Sequence, residues 1–343
     1  MNPFIKNVLK FLLFLGIGVA LVYLIVRKIT PAEWAQIKDA AVHANYFWVG
    51  AALLISVLSH ILRAMRWQLL IEPIDKKPGL LNTFCAVIIG YMASYALPRV
   101  GEYFKAVVLS KYEKVSFAGL MGTVIVERVI DTLLLFLFFV AMVVMNLNSK
   151  VYTIVKTKAT SFLSDKWNSY SHVNPFIYIA IAVVLIGGAW FLYKKKDHLF
   201  GFAKKFINNF LGGIKSVGHL KKPLLFWVYS VGIWILYLLI VYVCFFCMAE
   251  TSHLTMSDAL IVLIFGTVGV IVPTPGGMGA YQYLVKSVLV SVLLISSSSA
   301  FTFAWIMWGS QLILIVVLGL ISLILLPIIN KDDKTGVHTV ENI

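Results

Sequence analysis

Long apolar runs alternate with short polar ones along this chain. Six runs are long enough to cross a bilayer as helices, at about 9–26, 46–70, 128–147, 176–193, 224–248 and 301–327. A hydrocarbon core about 30 Å thick needs roughly 20 apolar residues per crossing. Two further apolar stretches, about 80–112 and 259–297, are each broken near the middle by proline and glycine. The first break reads Leu97-Pro98-Arg99-Val100-Gly101-Glu102, the second Pro273-Thr274-Pro275-Gly276-Gly277-Met278-Gly279. Their halves, roughly 12–18 residues long, suit re-entrant segments better than full crossings. The pattern predicts an all-α, polytopic membrane protein with about six full transmembrane helices and two re-entrant helical hairpins.

Composition agrees. Of 343 residues, 60% are hydrophobic and 13% charged, and the mean hydropathy is +0.91. Water could not solvate that much apolar side-chain surface. The formal charge of +14 reads as a record of topology rather than of nucleic-acid binding, since no soluble segment is large enough to hold a duplex.

Charge also sets the orientation. Residues 194–222 hold eight lysines (Lys194, Lys195, Lys196, Lys204, Lys205, Lys215, Lys221 and Lys222) against one acid, Asp197, so this loop is expected on the cytoplasmic side. Treating both broken stretches as hairpins then places both termini inside, with loops 27–45, 148–175 and 249–258 outside. The cytoplasmic side of the inner membrane receives 20 of the 29 Lys and Arg and the outside seven, four of them in 148–175 against the trend. Lys6 and Lys10 before an apolar run imitate a signal peptide. Arg27 and Lys28 follow directly, however, and no small-x-small cleavage site appears, so the run reads as a retained first span.

An internal symmetry follows. Within a single transmembrane domain, 1–330, the units 46–147 and 224–327 each contain a span, a broken hairpin and a span, in opposite orientation. A polar cytoplasmic tail, 331–343, completes the chain. Inverted repeats with broken helices are a transporter signature, with the binding site where the breaks meet. Simple kinking of two ordinary spans is the alternative.

Candidate chemistry gathers at the breaks. An arginine at membrane depth costs about 2.5–3.5 kcal/mol on insertion scales and is normally paired or functional. Arg99 either pairs with Glu102 to stabilise the turn, or holds a phosphate with its planar fork while Gly101 lets the backbone approach. Gly276, Gly277 and Gly279 either serve tight turning or present an anion-binding nest, with Tyr281 and Gln282 adding side-chain hydrogen bonds. Glu127, Arg128 and Asp131 are expected to open the third span. Helix-dipole and i,i+4 effects there compete with a coupling or headgroup site. Arg63, Arg66 and Trp67 close the second span, where snorkelling and interfacial anchoring are expected. Cys244 and Cys247 form a CxxC inside an apolar run, with no second cysteine pair or histidine to complete a metal or redox site. No nucleotide, zinc-protease, calcium-loop or serine-hydrolase motif is present, so no cofactor is expected.

Taken in order, Arg63-Ala64-Met65-Arg66-Trp67, Leu97 to Glu102, Glu127-Arg128 with Asp131, and Pro273 to Gly279 resemble the lysylphosphatidylglycerol synthase transmembrane region family. This is the flippase-like membrane domain of the multiple peptide resistance factors, and the resemblance runs from about residue 10 to 327. It implies lipid handling. Two-domain relatives add a cytoplasmic synthase, for which these 343 residues leave no room. Together the readings give a lipid translocase rather than an enzyme, acting on a phospholipid or polyprenyl-phosphate lipid. In that reading Arg99 holds the phosphate, the N–H groups after Gly101 and Gly277 assist, and Glu102, Glu127 and Asp131 balance an amine or a proton. Two rivals stay open: a membrane-embedded enzyme acting on a lipid-linked substrate, and a subunit anchoring a synthase or glycosyltransferase. A homo-oligomer is equally compatible.

Overall fold

A computed structural model describes residues 31–96, 100–146, 220–272 and 274–330. The expected spans 9–26 and 176–193, the loop 148–175, most of the eight-lysine loop and the tail 331–343 lie outside the described residues. So do Leu97, Pro98, Arg99 and Pro273.

All the regular structure described is helical. In chain order the helices are α1 (Pro31–Val42), α2 (Tyr46–Ile71), α3 (Leu80–Ala96), α4 (Gly101–Glu113), α5 (Phe117–Asn146), α6 (Pro223–Phe245), α7 (Met256–Ile271), α8 (Ala280–Ser291) and α9 (Ser297–Ile329), with a 3-10 turn at Pro275–Gly277. Among the described residues, α2, α5, α6 and α9 are long and apolar enough to cross a membrane. Their outward faces carry bare apolar side chains such as Leu54 (74% exposed), Phe136 (65%) and Ile324 (67%). Lipid is the natural neighbour of such a surface. The protein is a polytopic helical membrane protein.

Two boundaries differ from expectation. Helix α5 starts at Phe117, not near residue 128, because Phe117–Val126 is apolar apart from Thr123 and simply continues the helix. Residues 31–42, expected as loop, form α1 with Pro31 at its first position, where a missing N–H costs nothing. Its sequence is too short and too mixed to signal a span, and it packs against α9.

Hydrogen bonds define two ends of the bundle. At one end Lys221 pairs with Glu72 at 3.2 Å, Asn82 and Asn330 exchange bonds of 3.0 Å, and Glu113 accepts from Gly79 N and Asn82 at 2.8 Å each. At the other, Asn45 N donates to Cys247 O at 2.7 Å, and the Trp48 and Phe246 rings meet at a tilt, 5.2 Å apart. Helices α2 and α6 make the most extensive packing between them, and Trp67, Phe226, Phe245 and Phe303 are among the fully buried side chains of the core.

Both broken stretches fold back on themselves: α3 packs on α4, and α7 on α8. Glycine permits this where backbones cross. A Cβ on Gly101 would overlap Gly90 O and the Ser94 hydroxyl. In the second hairpin a Cβ on Gly269 would come within 2.7 Å of Tyr281 Cα. The turn itself uses φ of +57° at Gly276, +74° at Gly277 and +84° at Gly279, a region costly for any residue with a Cβ.

Candidate functional site

Helical spacing prepares a charged cluster. Arg63 and Arg66 are i,i+3 on α2, and Glu127 and Asp131 are i,i+4 on α5, so each pair shares a helix face. Tertiary packing turns those faces toward each other. Arg66 Nη1 donates to Asp131 Oδ1 at 2.7 Å, and its Nη2 donates to Glu127 Oε1 and Asp131 Oδ2 at 3.2 Å each. Arg63 Nη1 donates to Asp131 Oδ2 at 3.2 Å and Nη2 to the Tyr237 hydroxyl of α6 at 2.5 Å. Lys105 of α4 donates to Glu127 Oε2, and its Nζ stands 4.1 Å above the Trp67 ring. Trp67 Nε1 donates to Thr123 Oγ1 at 2.8 Å, while Arg63 also faces the Tyr91 ring of α3 at 5.5 Å.

This cluster is closed to solvent except at Asp131, whose side chain is 13% exposed. Arg66 and Glu127 are 0% exposed, Arg63 4% and Lys105 5%. Removing such ions from water costs several kcal/mol each, and only close, multiply bonded partners offset that. Two expectations are corrected here. Arg63, Arg66 and Trp67 do not snorkel at an interface; they are buried against α5. Nor do Glu127, Arg128 and Asp131 open a helix, for Glu127 lies ten residues beyond the start of α5. The macrodipole acts only within the first turn and has no part in their placement. Both corrections have one cause: the early start of α5 sets its carboxylates beside the arginines of α2.

Beside this cluster lies a half-open pair. Arg128 Nε meets Glu102 Oε1 at 2.5 Å, with side chains 46% and 40% exposed. Glu102 sits in the first turn of α4, and Gly101, at its first position, is buried against α3. No side chain caps this helix. Arg99 falls outside the described residues.

The second tip is built differently from the expected nest. Gly277 N donates to Thr274 O at 3.1 Å, Met278 N to Pro275 O at 3.0 Å, and Gly279 N to Gln282 Oε1 at 2.7 Å. Those N–H groups close the turn and are not free for an anion. Gln282 is thereby a cap, and Tyr281 is packed into the hairpin against Gly266. Gly276 packs against the Tyr95 ring, and its carbonyl accepts from Trp308 Nε1 of α9 at 2.8 Å. Tyr95 and Trp308 meet edge to face at 6.0 Å. The two broken stretches therefore touch through Tyr95 and Gly276, whereas Gly101 and Gly277 each pack within their own hairpin.

Sequence reasoning missed Lys105, Tyr91, Tyr237, Tyr95 and Trp308. Of these only Lys105 carried a local signal, a charge followed directly by the apolar run Ala106-Val107-Val108-Leu109. The aromatic residues are unremarkable in an apolar chain. The cysteines Cys85, Cys244 and Cys247 are buried and free.

Comparison with known proteins places these features in a family. The UPF0104 membrane protein MJ1595 of Methanocaldococcus jannaschii is 26% identical over 174 residues, which cover 50% of this chain and 48% of that protein. The match thus spans about half the length of the curated relative. No solved structure matches the chain. The family described as the lysylphosphatidylglycerol synthase TM region matches residues 7–319, nearly the whole of the chain and every element around the cluster. The protein belongs to the lysylphosphatidylglycerol synthase TM region family.

Proposed function

We propose that the protein is a lipid translocase of the inner membrane, with both termini cytoplasmic, rather than an enzyme. The domain 1–330 is read as two inverted units, 46–147 and 224–327, whose hairpins re-enter the membrane from opposite sides. The observation that carries this reading is the meeting of the two broken stretches at Tyr95, Gly276 and Trp308. Helices α3 and α4 return to the end marked by Glu72, Lys221 and Asn330, while α7 follows from the end marked by Asn45 and Cys247. At about 1.5 Å per residue, α4 and α8 are each roughly 20 Å long, short of the hydrocarbon thickness. A site between opposed broken helices is the arrangement expected for alternating access.

The substrate is a phosphate-containing lipid, either a phospholipid or a polyprenyl-phosphate lipid. Its headgroup passes along the first tip while its tails stay in the bilayer. The half-open Arg128–Glu102 pair is the described charge available to it, since Arg63 and Arg66 are already committed to carboxylates. The uncapped start of α4 at Gly101 adds N–H groups, and Arg99 is the second guanidinium in this reading.

Purified protein in vesicles holding a trace of fluorescent phosphatidylglycerol tests it. Dithionite added outside should quench beyond the outer-leaflet half, with no new lipid species on chromatography. A chemically altered lipid would favour the enzyme reading. An unaltered lipid with no movement would favour the anchoring subunit.

A further inference from the structure

We propose that a groove along α4 holds an anionic phospholipid, its phosphate at Lys111 and one acyl chain running inward past Val107 to Tyr103. The proposal rests on the translocase reading above and adds to it the position from which substrate approaches the first tip.

Helical spacing makes the groove. Tyr103, Val107, Ser110 and Lys111 fall at i, i+4, i+7 and i+8, so one stripe of α4 carries all four. Phe117, the first residue of α5, forms the side wall, its ring meeting that of Tyr103 edge to face at 5.4 Å. These five residues line a volume of about 290 Å³. Tyr103 is 52% exposed and Phe117 37%, so the aromatic lining is open to whatever surrounds the bundle. At about 1.5 Å per residue, Tyr103 to Lys111 covers about 12 Å, most of the roughly 15 Å of one hydrocarbon leaflet. That length suits an acyl chain lying along the helix.

Charge selects the headgroup. The Ser110 hydroxyl donates to Val115 O at 2.7 Å, so its proton is engaged. Lys111 is the cation of the groove. Its Nζ lies 5.5 Å from the Tyr112 ring, and among the described residues no carboxylate pairs with it. Glu113, the nearest acid in sequence, already accepts from Gly79 N and Asn82. Those bonds also set Lys111 at the end of the bundle marked by Glu72 and Asn330, where Lys76, Lys77, Lys221 and Lys222 are exposed. An ammonium at a membrane surface attracts anionic headgroups, and as a point charge it selects charge rather than headgroup shape. The direction fits a lipid of that leaflet, with its phosphate at the surface and its tail toward the bilayer centre. At the deep end Tyr103 follows Glu102, which is paired with Arg128. A lipid held here stands beside the first tip before its headgroup leaves the surface.

Phosphatidylcholine vesicles with a trace of phosphatidylglycerol carrying a diazirine in one acyl chain test the site. Irradiation and peptide mass spectrometry should locate adducts at Tyr103, Val107 and Phe117. One basic residue near an anionic headgroup is worth about a fivefold preference. Replacing phosphatidylcholine wholly by unlabelled phosphatidylglycerol should therefore lower labelling in the groove about fivefold. Labelling at the exposed Leu54 and Ile324 should not change. Lys111→Gln should abolish the difference between the two vesicle types. Groove labelling that is equal in both vesicle types with wild-type protein would mean unselective lipid contact and overturn the proposal. So would a fivefold difference that survives Lys111→Gln. In the dithionite assay, Val107→Trp, which fills the groove, should slow probe movement, whereas Phe136→Trp on the exposed face of α5 should not. Wild-type rates from Val107→Trp would overturn the role in substrate approach. Wild-type protein that moves no probe fails the translocase reading instead, and the labelling comparison still decides the groove.

Discussion

Replacing Glu127 by glutamine keeps the side chain's shape and removes the charge that Lys105 and Arg66 share. Arg66 retains Asp131 through contacts of 2.7 and 3.2 Å, but Lys105 is left without a carboxylate among the described residues. Breaking a buried ion pair from one side costs about 3–5 kcal/mol, because the remaining charge stays out of water. Glu127 and Arg66 are both 0% exposed, so little solvent screening reduces that figure. At about 2–4 °C per kcal/mol, the unfolding midpoint should fall by roughly 10 °C. Lys105→Met should cost less, since two arginines and two carboxylates then remain in balance. Combining the two changes removes both members of one pair, so the double variant should lose less than the sum, with a coupling of about 2 kcal/mol. Intrinsic tryptophan fluorescence on heating in detergent micelles, with size exclusion as a check on folding, reads all three. A Glu127→Gln midpoint within about 2 °C of wild type, or strictly additive losses, would refute a cluster closed to solvent.

Three further outcomes follow from the packing. Gly276→Ala should lower both stability and transport, because its Cβ would enter the Tyr95 ring at a φ of +57°. Gly122→Ala is the control, with nothing within 4 Å of the added atom, and should be neutral in the same assays. Gly101→Ala should cost on the order of 1–3 kcal/mol, since the obstruction includes the Gly90 backbone, which cannot rotate away as a side chain does. Its unfolding midpoint checks this. For orientation, Glu250→Cys should react with an impermeant maleimide on intact cells and Lys76→Cys only after lysis. Labelling of Lys76→Cys from outside would reverse the topology. Background should be low, as all three native cysteines are buried.

Much of the architecture was legible along the chain because the bilayer makes it a local problem. A long apolar run must become a helix to satisfy its own backbone in lipid, and Tyr46–Ile71, Pro223–Phe245 and Ser297–Ile329 lie within a few residues of the expected limits. The two breaks were equally legible, since proline stops a helix and glycine supplies the positive φ of residues 276, 277 and 279. Spacing alone placed Glu127 with Asp131 on one face of a helix.

Which faces meet was not a local matter. Hydropathy cannot tell an arginine that snorkels from one that is buried, because both sit near the end of an apolar run. Arg63 and Arg66 are buried because α5 begins at Phe117 and carries its carboxylates to their depth. Lys105 joins them only because the first hairpin folds back at Gly90 and Gly101 and lays α4 against α5. Tyr95 and Gly276 lie 181 positions apart in the sequence and touch because both hairpins enter one bundle. The sequence alone determined most of the long helices and where two apolar stretches break, because each rests on backbone chemistry within a few residues. Tertiary packing decided the charge pairing, because an ion's partners depend on the rotation and depth of helices far apart in the chain.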